Sequence, residues 1–188
     1  MTMRSIALSV HILGVMGLFV VLAQEWLTFH LLRASDARPL PAAAVAALTA
    51  LPRLTGIAAA SILVSGIYLA GQVGVLRSGW VDVSFGAMVL MAGLGASSLR
   101  PLLRALKNSP SSMDGMSVRR HASRPFVRAS LRIRLSVAVA IVYLMVAKPD
   151  LLEAGVFMVG ALAIGGAAAL ARRYVAAEGL DRAPAASR

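Results

Sequence analysis

The chain has 188 residues, 59% of them hydrophobic and 14% charged, and a mean hydropathy of +0.78. A water-solvated domain carries about 25% charged residues, so this composition excludes an ordinary soluble domain and turns the length into a count of membrane crossings. There is no cysteine, which excludes disulfides, thiolate metal sites and cysteine nucleophiles, and the net charge of +11 lies between apolar runs, as membrane orientation requires and nucleic-acid binding does not.

Charged residues punctuate five apolar runs, and the predicted fold is all-α: a polytopic transmembrane helical bundle. Its spans cover about 5–32, 54–75, 82–102, 128–147 and 152–172, in one domain (1–177) with a polar tail (178–188). The first run, Ser5 to Gln24, has the look of a signal peptide with Val21-Leu22-Ala23 as its cleavage site. It is long for that, and its helical pattern continues through Trp26 to Leu32, so a retained helix is expected. Pro41 to Leu51 is Ala-rich, uncharged and too short to span, and Pro52 interrupts it. A short interfacial helix leading into the second span is expected there. The second run is Leu54 to Leu76 and the third Val83 to Leu99. Asn108 to Ser123, with its Ser, Pro, Gly, Asp and Arg, reads as a flexible loop.

The fourth run, Leu135 to Ala147, has thirteen residues, which cover only about 20 Å of a roughly 30 Å core. A spanning helix must reach back to about Arg128 and carry Arg128, Arg132 and Arg134 on its first two turns, with Pro125 before it and Pro149 after. The fifth run is Ala154 to Ala171, and the tail from Glu178 reads as disordered. With five spans, one side holds three basic residues (Arg4, Arg77, Lys148) and the other sixteen. The sixteen are expected in the cytoplasm, with the N-terminus outside and the C-terminus inside. A four-span arrangement would put both termini on one side and weaken this split.

His11, about two turns into the first span and in its outer half, is the leading candidate for chemistry. A neutral imidazole there can ligate haem iron or another metal, or relay a proton; the bland alternative is a histidine hydrogen-bonded to a neighbouring helix. His30 lies nineteen residues on, about 28 Å of rise, so the two cannot share one metal, and His121 falls in a loop. Met145, at a similar depth in the fourth span, is a candidate second ligand. Glu25, Arg132, Arg134 and Lys148 are candidates for a charge network. Arg128 and Arg132 share a helix face and Arg134 lies nearly opposite, so one set is expected to snorkel and the other to face Glu25. Trp26 and Phe29 are expected in an aromatic belt. Small residues at Ser61/Ser65, Ala161/Gly165 and Gly93/Gly95 mark packing faces. Asp82, Asp150 and Glu153 could gather with Lys148 near His11 as an outer metal or substrate-entry site. No Walker, nucleophile-elbow or zincin motif is present.

Two phrases carry a resemblance. The first span begins Ser-Val-His11-Ile-Leu-Gly14 and ends Phe29-His30; the fourth ends Tyr143-Leu-Met145-Val-Ala-Lys148-Pro149. Both resemble a group of small bacterial integral membrane proteins that includes the haem-dependent membrane protoporphyrinogen oxidases and the membrane domain of copper-resistance D-type proteins. Arg132 to Pro149 looks closest to a branch of that group with no assigned activity. The resemblance implies the bacterial inner membrane, haem as the cofactor, His11 as its ligand and Lys148 as the closing lysine. Gln24-Glu25-Trp26 and Arg132-Ile-Arg134-Leu stand where the oxidases carry their Pro-Arg and Asn-Glu-x-Pro motifs. The expected function is that of an inner-membrane protein without a catalytic motif. The alternatives are a haem-binding redox protein using His11, or a small transporter or accessory subunit. The expected partners are the lipid bilayer, a second copy or a membrane complex, and no nucleic acid.

Overall fold

A computed structural model describes residues 2–34, 42–107 and 116–181. It is a bundle of helices: α1 (Met3–Ala34), α2 (Ala42–Val73), α3 (Gly79–Lys107), the short α4 (Met116–Ala122), α5 (Pro125–Ala147) and α6 (Leu151–Asp181). Among the described residues there is no strand, and all of these helices but α4 are long and apolar enough to cross a membrane. The chain is a multi-pass membrane protein. Lipid offers no hydrogen-bond partner, so the backbone must satisfy itself within each helix. The hydroxyls follow the same rule: Thr28, Thr55 and Ser84 each donate to the carbonyl four residues back, at 2.8, 2.8 and 2.7 Å.

Helix α1 packs on α2 and α5 on α6, and α3 lies mainly against α5 and α6 rather than α2. Close approach depends on small residues. A Cβ on Gly165 of α6 would stand 2.7 Å from Cα of Ile133 in α5, and one on Gly14 of α1 would stand 3.2 Å from the backbone N of Ile62 in α2. Gly165 is therefore a packing residue as expected, whereas Gly93 meets nothing within 4 Å and is not. The core has two parts. One, around Leu22, Ile62, Met91, Val137 and Leu144, fills the middle and one end of the bundle. The other gathers Phe29, Leu32, Leu48, Leu51, Leu102 and Val118 at the end rich in arginine.

Four expectations about the elements change. Residues 42–51 are not a separate interfacial helix: α2 runs unbroken through Pro52. A proline removes one N–H and crowds the carbonyl four residues back. Leu48 and Leu51, each 1% exposed, are buried in one cluster with Phe29 and Leu32 in the turn just before that defect, and the helix continues. The expected loop holds a helix, α4, whose Val118 and Ala122 are buried four residues apart, on one face; 108–115 lie outside the described residues. Helix α6 continues past Glu178 to Asp181, and 182–188 lie outside. Phe29 does not sit in an interfacial belt but is fully buried, while Trp26 is 56% exposed.

Pro125 opens α5 at its first turn, with Arg124 as the cap residue. A missing N–H costs nothing there. The helix closes on Lys148, which adopts the left-handed conformation (φ 49°, ψ 50°) and donates its N–H to the Leu144 carbonyl at 2.9 Å. Asp150 then caps α6, its Oδ1 accepting from the Glu153 N–H at 2.8 Å.

Candidate functional site

Helices α1 and α5 run antiparallel. His11 and Met145 line one cavity, Glu25 meets Arg134, and His30 and Arg128 line another. The candidate residues thus fall into three levels along one helix pair.

At the first level an open cleft of about 350 Å³ lies among α1, α2, α3 and α5. Its walls are apolar, with Leu8, Ile67, Phe85 and Met88 among them, and the exposed cations Arg4 and Lys148 line it at the helix ends. His11 enters it half-buried. Its Nδ1 stands 3.2 Å from the Ile62 carbonyl and 3.1 Å from Ser65 Oγ. The Ser65 hydroxyl proton is committed to the Ser61 carbonyl, so both neighbours of Nδ1 are acceptors. The hydrogen-bond pattern therefore assigns the proton to Nδ1 and leaves Nε2 with a free lone pair. Gly66 makes room for the ring: a Cβ there would lie 3.1 Å from His11 Cε1.

At the second level Arg134, 4% exposed, forms an ion pair with Glu25, 3% exposed. The two bury a charge pair between α1 and α5. Gly95 of α3 leaves space for the guanidinium, since a Cβ there would lie 2.9 Å from Arg134 Nη1. Nε of Arg134 has no hydrogen-bond partner among the described residues. Beside the pair, Ser130 Oγ of α5 donates to the Leu94 carbonyl of α3 at 3.0 Å.

At the third level a groove of about 1040 Å³ between α1 and α5 is lined by Trp26, His30, Arg33, Arg128 and Arg132, with Phe19, Leu22 and Leu135 beyond them. Trp26 meets His30 edge-on, centroids 5.6 Å apart.

The expected charge network of Glu25, Arg132, Arg134 and Lys148 does not form as one unit. Arg132, two residues from Arg134 and about 200° round the helix, donates instead to the Ala168 carbonyl of α6. Lys148, fourteen residues beyond Arg134 and about 21 Å along the axis, belongs to the His11 cleft. The acidic residues expected at the outer face do not gather: Asp150 is a helix cap, and no group of three or more metal-ligating side chains exists among the described residues. Sequence reasoning missed Ser65 as the partner of His11, having read it as a packing residue. It also missed Arg4 and the groove around Arg33. The only available signal for Ser65 was its depth in the second span.

Comparison with family models, with curated proteins and with solved structures gives no match for this chain.

Proposed function

We propose that this chain is a haem-binding protein of the bacterial inner membrane, with His11 as the axial ligand in the cleft between α1, α2, α3 and α5. The observation that carries the reading is the hydrogen bonding of His11. An imidazole whose Nδ1–H is held by a backbone carbonyl presents Nε2 in fixed orientation and with raised basicity, the arrangement found at metal-ligating histidines.

The donor set around it fits the group. Apolar walls suit a macrocycle, and the open side of the cleft suits a ligand larger than 350 Å³ that also touches lipid. Arg4 and Lys148 supply positive charge for two carboxylates. Met145 lines the same cleft and would offer a thioether as a second donor. Bound haem supplies one-electron chemistry. His11 would hold the group, Arg4 and Lys148 would neutralise its carboxylates, and the apolar walls would line its faces. The resemblance at His11 and Lys148-Pro149 supports this assignment. The replaced oxidase motifs support binding or electron transfer over the oxidase reaction. The sixteen-to-three division of basic residues supports an N-terminus outside, which puts the cleft at the outer face.

The test is the absorption spectrum of the protein purified in detergent from haem-replete cells. The wild type is expected to show a Soret band that His11→Ala loses while keeping its helical circular dichroism. A colourless, folded wild type would overturn the reading, and its co-purification with a stoichiometric membrane partner would point to an accessory subunit instead.

A further inference from the structure

The groove at the arginine-rich end is used by neither the ion pair nor the haem cleft. Three arginines line it. Arg33 spends Nε on the Phe29 carbonyl at 2.7 Å, and Arg132 spends one Nη on the Ala168 carbonyl. Arg128 is exposed and makes no hydrogen bond or ion pair with any described residue. The three lie within electrostatic reach of one another, and no carboxylate of the described residues lines the groove. The nearest candidate, Glu25, is buried against Arg134. Like charges gathered beside an apolar wall are unfavourable unless an anion joins them.

The shape of the groove says which anion. Past the arginines it continues along α1 through Leu22 to Phe19 and along α5 to Leu135, with no further charge. The apolar part from Trp26 to Phe19 is seven residues, about 10 Å of helix, which a small ion does not need and the upper part of an acyl chain, below a headgroup held at the arginines, would fill. Trp26 and His30 stand at the junction of the charged and apolar parts, the level at which amphipathic rings meet lipid headgroups. A free phosphate would use the arginines and leave the trough unexplained.

We infer that the groove between α1 and α5 is a binding site for an anionic phospholipid, its phosphate held by Arg33, Arg128 and Arg132 and one acyl chain lying along Phe19, Leu22 and Leu135. Basic pockets between membrane helices bind such headgroups, each arginine contributing about 1 kcal/mol, or about five-fold in affinity.

Native mass spectrometry of the full chain in detergent, titrated with phosphatidylglycerol, phosphatidylcholine or inorganic phosphate, tests this. One phosphatidylglycerol is expected to bind at least ten-fold more tightly than phosphatidylcholine, and inorganic phosphate at equal concentration is expected not to displace it. The double variant Arg33→Gln/Arg128→Gln is expected to lose about twenty-five-fold in affinity, while Arg104→Gln, exposed on α3 outside the groove, keeps wild-type affinity. Should the double variant fail to fold, Arg128→Gln alone, at an exposed position, is expected to lose about five-fold. Equal binding of the two lipids, displacement by phosphate, or equal losses in the groove variants and Arg104→Gln would each overturn the proposal.

Discussion

Arg134 is an arginine deep in an apolar bundle, and Glu25 is what makes that tolerable. Removing either member leaves an uncompensated buried charge, which typically costs about 3–5 kcal/mol, whereas the intact pair is closer to neutral. Glu25→Gln and Arg134→Gln are each expected to destabilise the protein by about that amount, read as the detergent concentration at which helical circular dichroism is lost in dodecyl sulfate. The exchange Glu25→Arg/Arg134→Glu is expected to recover part of the loss. Strictly additive losses would mean that the pair carries no coupling. The sequence already offered Glu25 an arginine partner and separated Arg134 from Arg128 and Arg132 by helical rotation. Which set turned inward depended on Gly95 of α3, the small residue that opens space beside Arg134 Nη1. Spacing along α5 alone does not contain that contact.

Among the elements, α5 illustrates how a physical constraint can be read directly from sequence. Thirteen uncharged residues cannot cross a bilayer, so the helix had to begin upstream among its arginines, and it does so at Pro125. Helices α2 and α4 illustrate the opposite. Pro52 is a local break signal, yet α2 runs through it, with Leu48 and Leu51 buried in one cluster with the distant Phe29 and Leu32. In α4, two buried residues four apart are too little pattern to stand out from a loop-like composition. Packing of α5 on α6 depends on Gly165, where an added Cβ would come within 2.7 Å of Ile133 Cα and 2.5 Å of Ser136 Oγ. Backbone cannot yield as a flexible side chain can, so Gly165→Leu is expected to cost about 1–3 kcal/mol or more in the same unfolding assay. Gly93→Leu, where nothing lies within 4 Å, is expected to have little effect. Equal effects at the two positions would contradict this account of the α5–α6 contact.

On the scale of the whole molecule, the bundle has a polar logic along its axis: an apolar cleft with a histidine at one end, a sealed ion pair, and an arginine-lined groove at the other. Charge spacing was enough for the five spans, because four apolar runs come near the roughly 20 residues a crossing needs and the thirteen-residue fourth can cross only by extending among its arginines. It was not enough for the sites, since each is made of residues from separate helices. The absence of cysteine makes orientation simple to measure. With single cysteines introduced at the exposed Arg77 or Ser123, an impermeant maleimide added to intact cells is expected to label Arg77→Cys and leave Ser123→Cys unlabelled until the membrane is opened. The reverse pattern would move the His11 cleft to the cytoplasmic side.

The proposed haem site requires that His11 Nε2 be free to ligate iron in an apolar, cation-edged cleft. A spectrophotometric titration of the haem-free purified protein with haemin, in wild type, His11→Ala and His30→Ala, tests it most directly. Saturation at one haem per chain in the wild type and His30→Ala, with loss of that saturable phase in His11→Ala, is the expected result. Equal binding by all three proteins, or none by the folded wild type, would contradict it.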